Sequence, residues 1–216
     1  MLNRPIFALI LMLGSALSVA AEGAQRYRLT LHYAWSAASH PVDFPADAHM
    51  AGLFGVTHDA RYVLFRDGNT ASSGVILMAE NGRNTVLLAE WSEAARRKRV
   101  GVVFEAPGTS TQPGSVVVEF DALPEFPFVS FAAMIAPSPD WFTGAASVAL
   151  RDGAVWRDRI TVPLWAWDAG SAGGESYTAD RVDMQPRQSV RLLAGPQFLD
   201  QDGLRSMGQA VLTRLP

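Results

Sequence analysis

The chain has 216 residues, 49% of them hydrophobic and 18% charged, a balance able to bury a proper core. It contains no cysteine, which excludes a disulfide framework, thiol chemistry, zinc-thiolate sites and a lipid-anchoring cysteine. The net charge of −3 argues against nucleic acid as the main partner.

Residues 1–21 carry a basic start at Arg4, an apolar run from Ile6 to Leu17 and small residues at Val19 and Ala21, the pattern of a secretory signal peptide cut after Ala21. The apolar run is shorter than the roughly 20 residues that cross a bilayer, and no later segment comes close, so no transmembrane segment is expected. The expected location is secreted or periplasmic. Residues 22–216 remain, a length that fits one domain.

Arg26–Trp35 alternates polar and apolar residues, the period-two signature of a half-buried strand. Similar runs occur at Tyr62–Phe65, Val75–Met78, Val100–Glu105, Ser115–Asp121, Phe126–Ile135, Trp141–Leu150, Val155–Trp167 and Gln209–Leu215. Turn chemistry separates them, as in Arg66-Asp67-Gly68-Asn69, Glu80-Asn81-Gly82 and Arg151-Asp152-Gly153. Strands at this spacing predict an all-β antiparallel sandwich. One short helix is expected over Thr85–Lys98, where Leu87, Leu88, Trp91, Ala94 and Ala95 share a face and Asn84 stands at the N-cap. Two longer irregular segments, Ser36–Asp59 and Arg181–Gly208, are the loops that tend to carry function.

Asp140 comes directly after the run Met134-Ile135-Ala136-Pro137-Ser138-Pro139, and Asp168 opens the turn Asp168-Ala169-Gly170-Ser171. If Phe126–Ile135, Trp141–Leu150 and Val155–Trp167 form a meander, both aspartates fall at the same end of the sheet. Calcium takes six to eight oxygens from carboxylates, carbonyls and water, so two loop acids beside a glycine-rich turn suit it. Aspartates that merely cap turns remain the alternative for the same residues.

The four histidines, His32, His40, His49 and His58, lack the short helical spacing of zinc ligands and are expected to hydrogen-bond within their loop. Arg96-Arg97-Lys98-Arg99 reads as the solvated C-terminal end of the helix, with an acidic surface or sulfated glycan as the other reading. Trp141, Trp165 and Trp167 lie inside apolar runs and are expected to pack rather than to stack on sugars. No G-x-S-x-G motif and no paired catalytic acids are present, so catalytic residues are expected to be none and the protein is expected not to be an enzyme.

The motifs His40-Pro41 with Phe44-Pro45, Ala48-His49-Met50, Gly55-Val56-Thr57-His58, Gly68 with Ala71-Ser72 and Gly74, Met78–Gly82, Met134–Phe142 and Asp168-Ala169-Gly170 run through most of residues 22–216. Together they resemble the spondin domain, found in the F-spondin family of extracellular matrix proteins and in single-domain exported proteins of bacteria. The resemblance implies a sandwich of the calcium- and lipid-binding class, with one Ca2+ held by loop aspartates at Asp140 and Asp168. The family's third acid falls at Ala172, and Glu175 is the nearby carboxylate that can replace it. The function it implies is that of an exported calcium-binding module for adhesion at a cell surface or matrix, whose partner is a protein or glycan surface ligand. The alternatives are a carbohydrate-binding protein of the periplasm or medium, and a hydrolase using the histidine-rich loop.

Overall fold

In the first strand, Gln25–Tyr33 (β1), the side chains of Tyr27, Leu29, Leu31 and Tyr33 are all buried while the residues between them face outward or lie half-buried. That alternation is what a strand with one face on a core requires. The computed structural model describes residues 23–216, so the expected leader and its cleavage site lie outside the described residues. The other principal elements are β2 (Leu53–His58), α1 (Ser73–Asn81), α2 (Thr85–Arg96), β3 (Val100–Ala106), β4 (Gly114–Ala122), β5 (Phe128–Ala136), β6 (Trp141–Ala149), β7 (Arg159–Asp168), β8 (Arg191–Leu192) and β9 (Gly208–Arg214).

The long strands form one antiparallel sheet in the order β3-β2-β5-β6-β7-β9-β1-β4, with β8 added beside the end of β7. The sheet curls until its end strands meet across the core, where Phe104 of β3 stacks on Phe120 of β4 at 4.5 Å between ring centres. The result is a nearly closed β-sandwich. Its interior holds Leu29, Leu31, Trp35, Phe131, Ile135 and Leu164 among other apolar side chains.

A second apolar layer lies outside the sheet, beneath the helices. Along β5 the two layers interleave: Val129, Phe131, Ala133 and Ile135 enter the inner core, while Ala132, Met134 and Ala136 enter the outer one with Val75, Met78 and Leu87. A strand buried on both faces reads as a continuous apolar run, as this one does.

Two helices are present where the sequence pattern predicts one. Val75–Met78, predicted as a strand, belongs to α1, and Tyr62–Phe65, also predicted as a strand, is a loop. A four-residue apolar run cannot separate strand from buried helix by periodicity. The caps decide it: Ser72 Oγ accepts from Val75 N, and Gly82, at φ 64°, ends the helix by donating its N–H to the Met78 carbonyl. Glu90 of α2 ties the pair together, accepting from Gly74 N at 2.8 Å and from Ser72 Oγ at 2.7 Å. Asn84 stands at the N-cap of α2 without a side-chain capping bond; its Nδ2 donates instead to Glu105. At the other end of α2 the exposed Arg96 and Arg97 pair with Glu93, which fits a solvated helix end.

Candidate functional site

The loop between β5 and β6 and the turn after β7 meet at one end of the sandwich. Residues Trp141 and Asp168 are partners across the β6–β7 ladder, which carries the preceding residue, Asp140, to the Asp168 turn. Ala169 N donates to the Asp140 carbonyl at 3.1 Å, closing the two segments on each other. Ser138 holds the first loop in shape: its Oγ accepts from Trp141 N at 3.1 Å and donates back to the Ile135 carbonyl.

The turn after β7 is built by Asp168 itself. Its Oδ1 accepts from Gly170 N at 2.7 Å, two residues on, the local bond by which aspartate makes a turn from its own side chain. Gly170 adopts φ 74°, and a Cβ there would lie 2.3 Å from the Gln188 carbonyl oxygen, so glycine is needed for both conformation and space. The chain leaves this turn with Ser171 N and Ala172 N both donating to Asp140.

Asp140 is fully buried, and its two carboxylate oxygens differ sharply. Oδ2 accepts three hydrogen bonds, from Ser171 N at 2.8 Å, Ala172 N at 2.9 Å and Ser171 Oγ at 3.2 Å. Oδ1 is buried with no hydrogen-bond partner among the described residues. Burial pushes the Asp140 carboxyl above the usual carboxylate range, and the neighbouring charge of Asp168 pushes it the same way, against the three donors. A buried acceptor without a partner next to a second acid is an arrangement that a cation would relieve.

Asp168 is 4% exposed and answers to a different partner. Arg191, opposite it across the β7–β8 ladder, donates to its Oδ2 from Nη2 at 2.9 Å and from Nε at 3.3 Å. Sequence reasoning misses this arginine, which lies 23 residues away in a polar segment without periodic pattern.

Glu175 and Arg191 both line a cleft of about 740 Å³ beside this turn, together with Asp43, Trp141, Asp168 and Gln197. The Glu175 carbonyl accepts from Gln197 Nε2 at 2.7 Å. No three His, Asp or Glu side chains gather among the described residues in the way a metal ion would use, so the site rests on the Asp140–Asp168 pair and not on a full carboxylate set.

His40 and His49 hydrogen-bond within their loop as expected, whereas His32 of β1 bonds Ser115 Oγ of β4 at 3.4 Å and His58 reaches across to β5. His40 Nδ1 bonds Ser39 Oγ at 2.9 Å, His49 Nδ1 the Asp47 carbonyl at 2.8 Å, and His58 bonds the Asp59 carbonyl and Ser130 Oγ, both at 2.7 Å. His58 and Ser130 are both fully buried, so this serine–histidine contact pins β2 to β5 without reaching solvent. Trp141 is buried, packing edge-on against Tyr177 and Phe198, and Trp167 packs on Phe65.

The family model described as Spondin_N matches residues 25–202. Among curated proteins the chain is 30% identical to Spondin-2 of Rattus norvegicus over 182 residues, 82% of this chain and 55% of that protein. It is 30% identical to Spondin-1 of Gallus gallus over 213 residues, 92% of this chain and 26% of that protein, and 32% identical to Spondin-1 of Xenopus laevis over 179 residues, 80% of this chain and 22% of that protein. The chain thus spans about half the length of the Spondin-2 relative and about a quarter of the Spondin-1 relatives.

Proposed function

The chain belongs to the Spondin_N family, and from that premise we propose that it is a calcium-dependent binding module of the cell surface or extracellular matrix, not an enzyme. Asp140 and Asp168 hold the ion, Glu175 replaces the acid missing at Ala172 through a bridging water rather than by joining the pair directly, and the module is exported by its leader. The observation that carries this reading is the bare Oδ1 of a fully buried Asp140, whose charge is opposed by burial and by Asp168. The donor set is all oxygen, which suits a hard dication, and backbone carbonyls and water complete the coordination calcium prefers.

Calcium bound there supplies charge neutralisation. The chain's own residues do the rest: Ser171 and Ala172 fix the Asp140 carboxylate by three donors on one oxygen, and the Gly170 turn fixes Asp168. The loops at this end of the sandwich are thereby presented to a protein or glycan partner. The full burial of His58 and Ser130 supports a role without catalysis, since no substrate atom reaches them.

A second reading, soluble-sugar binding, is favoured by the cleft and its polar wall of Asp43, Glu175, Arg191 and Gln197. One experiment separates the two. Mature protein is applied to immobilised glycans and to matrix or envelope extract, with calcium and with chelator. Retention on extract that chelator abolishes supports the adhesion module. Retention on glycans that free sugar displaces regardless of chelator supports the carbohydrate protein, and calorimetry without any calcium heat removes the metal from both.

A further inference from the structure

We infer that Arg191 is an internal competitor of calcium: its guanidinium holds the Asp168 carboxylate when no cation is present and must withdraw before the ion can bind. The inference rests on the calcium reading above and concerns how that site sets its own affinity.

The geometry is specific. Arg191 Nη2 and Nε both converge on Asp168 Oδ2, while Oδ1 is taken by Gly170 N. Neither oxygen of Asp168 is therefore bare, in contrast to Asp140 Oδ1. The guanidinium places a full positive charge on a carboxylate that the dication needs, so the two cations compete for the same buried oxygen, and the exposure of the arginine lowers the cost of its leaving. The side chains are also unequal partners: the Asp168 side chain is 6% exposed and that of Arg191 is 61% exposed. The aspartate is fixed by its turn, whereas the arginine sits on a two-residue strand and lines the cleft. It has space into which to swing.

The charge count gives this contact its weight. With alanine at 172 the central pair contributes two carboxylates, and Arg191 offsets one of them. An arginine that merely oriented Asp168 would raise calcium affinity, because a positioned ligand binds better than a loose one. A competitor lowers it. The two roles differ in sign.

The test is calorimetric titration of metal-stripped protein with calcium chloride for the wild type, Arg191→Gln and Arg191→Lys, alongside thermal unfolding without metal. Glutamine keeps a hydrogen-bond donor and removes the charge. The expected result is calcium binding about tenfold tighter in Arg191→Gln, with the lysine variant, which keeps the charge but loses the two-pronged contact, falling between. A lower unfolding midpoint for metal-free Arg191→Gln, restored beyond wild type by calcium, is the matching stability signature. Equal or weaker binding in Arg191→Gln while the wild type binds overturns the inference and leaves the calcium site standing. Binding by Arg191→Gln alone supports it in its strongest form. Absence of binding in all three proteins removes both the inference and the calcium assignment.

Discussion

Trp141 and Asp168 are partners across the β6–β7 ladder, and that register is what brings two aspartates 28 positions apart into one site. The carboxylate that matters on the β6 side belongs to the residue before the tryptophan, so a shift of one residue would place Asp140 on the wrong side of the ladder. Ser138 and the Asp168–Gly170 turn hold the two ends of that register, one on each strand.

Asp140 separates structure from metal. Asp140→Ala leaves Ser171 N and Ala172 N buried without acceptors and should lower stability by about 2–4 kcal/mol at neutral pH, measured by denaturant unfolding. Asp140→Asn keeps an acceptor for them and removes a buried charge beside Asp168, so metal-free protein should be at least as stable as wild type. Calcium at about 100 times its dissociation constant stabilises by roughly 2.7 kcal/mol, a rise of about 5–10 °C for a domain of this size. That rise should vanish in the asparagine variant, and a full rise there would place the ion elsewhere.

The third acid is tested by a pair of substitutions. Glu175→Gln should weaken calcium binding several-fold, and Ala172→Asp should strengthen it, since each carboxylate added or removed changes the charge the ion meets. Isothermal titration reads both. Unchanged affinity in the glutamine variant takes Glu175 out of the set, and a tighter Ala172→Asp alone would show that the position, not its neighbour, is where the third acid belongs.

Much of this is legible in the residues. Alternation in Gln25–Tyr33 specifies a strand with one face inward, and the meander from Phe126 to Asp168 puts both aspartates at one end of the sheet. The Asp168-Ala169-Gly170 turn comes from an aspartate that bonds its own backbone two residues on and a glycine that takes positive φ. Other features are hidden for physical reasons. Helix α1 carries its apolar residues as a block, and only Ser72 and Gly82 at its ends distinguish it from a buried strand. Arg191 meets Asp168 through a two-residue strand in an irregular segment, where no periodicity announces a partner. The asymmetry of Asp140, three donors on one oxygen and none on the other, depends on where two backbone N–H groups point, which no side-chain pattern encodes.

Gly170 should be intolerant of any side chain. A Cβ would meet the Gln188 carbonyl oxygen at 2.3 Å, and the φ of 74° is costly for an L-residue. Gly170→Ala should therefore cost about 2 kcal/mol or more and lower the unfolding midpoint by at least roughly 4 °C. Because Gly170 N also holds Asp168 Oδ1, the calcium response should shrink with it. An unchanged midpoint would mean that the turn is free to open.

His40 gives the fold a stability that fades in acid. The side chain is 1% exposed, and burial lowers its pKa from 6.5 to about 4, helped by the charge of Arg205 and resisted by the Arg205 backbone and Asp200. Its Nδ1 bonds Ser39 Oγ and its ring packs edge-on against Phe198, contacts made with the neutral imidazole in place. Between the two values the unfolded chain binds a proton that the folded chain refuses, so stability falls as pH drops below about 6.5 and the loss is complete below about 4. The full difference is on the order of 3 kcal/mol. His40→Gln cannot titrate and should flatten this part of the profile. His58, whose pKa burial also lowers, should leave a smaller slope of the same sign in that variant. Denaturant unfolding of both proteins from pH 7 to pH 4 reads the difference directly: parallel profiles would show that His40 is charged in the fold, or that it opens to water before it titrates.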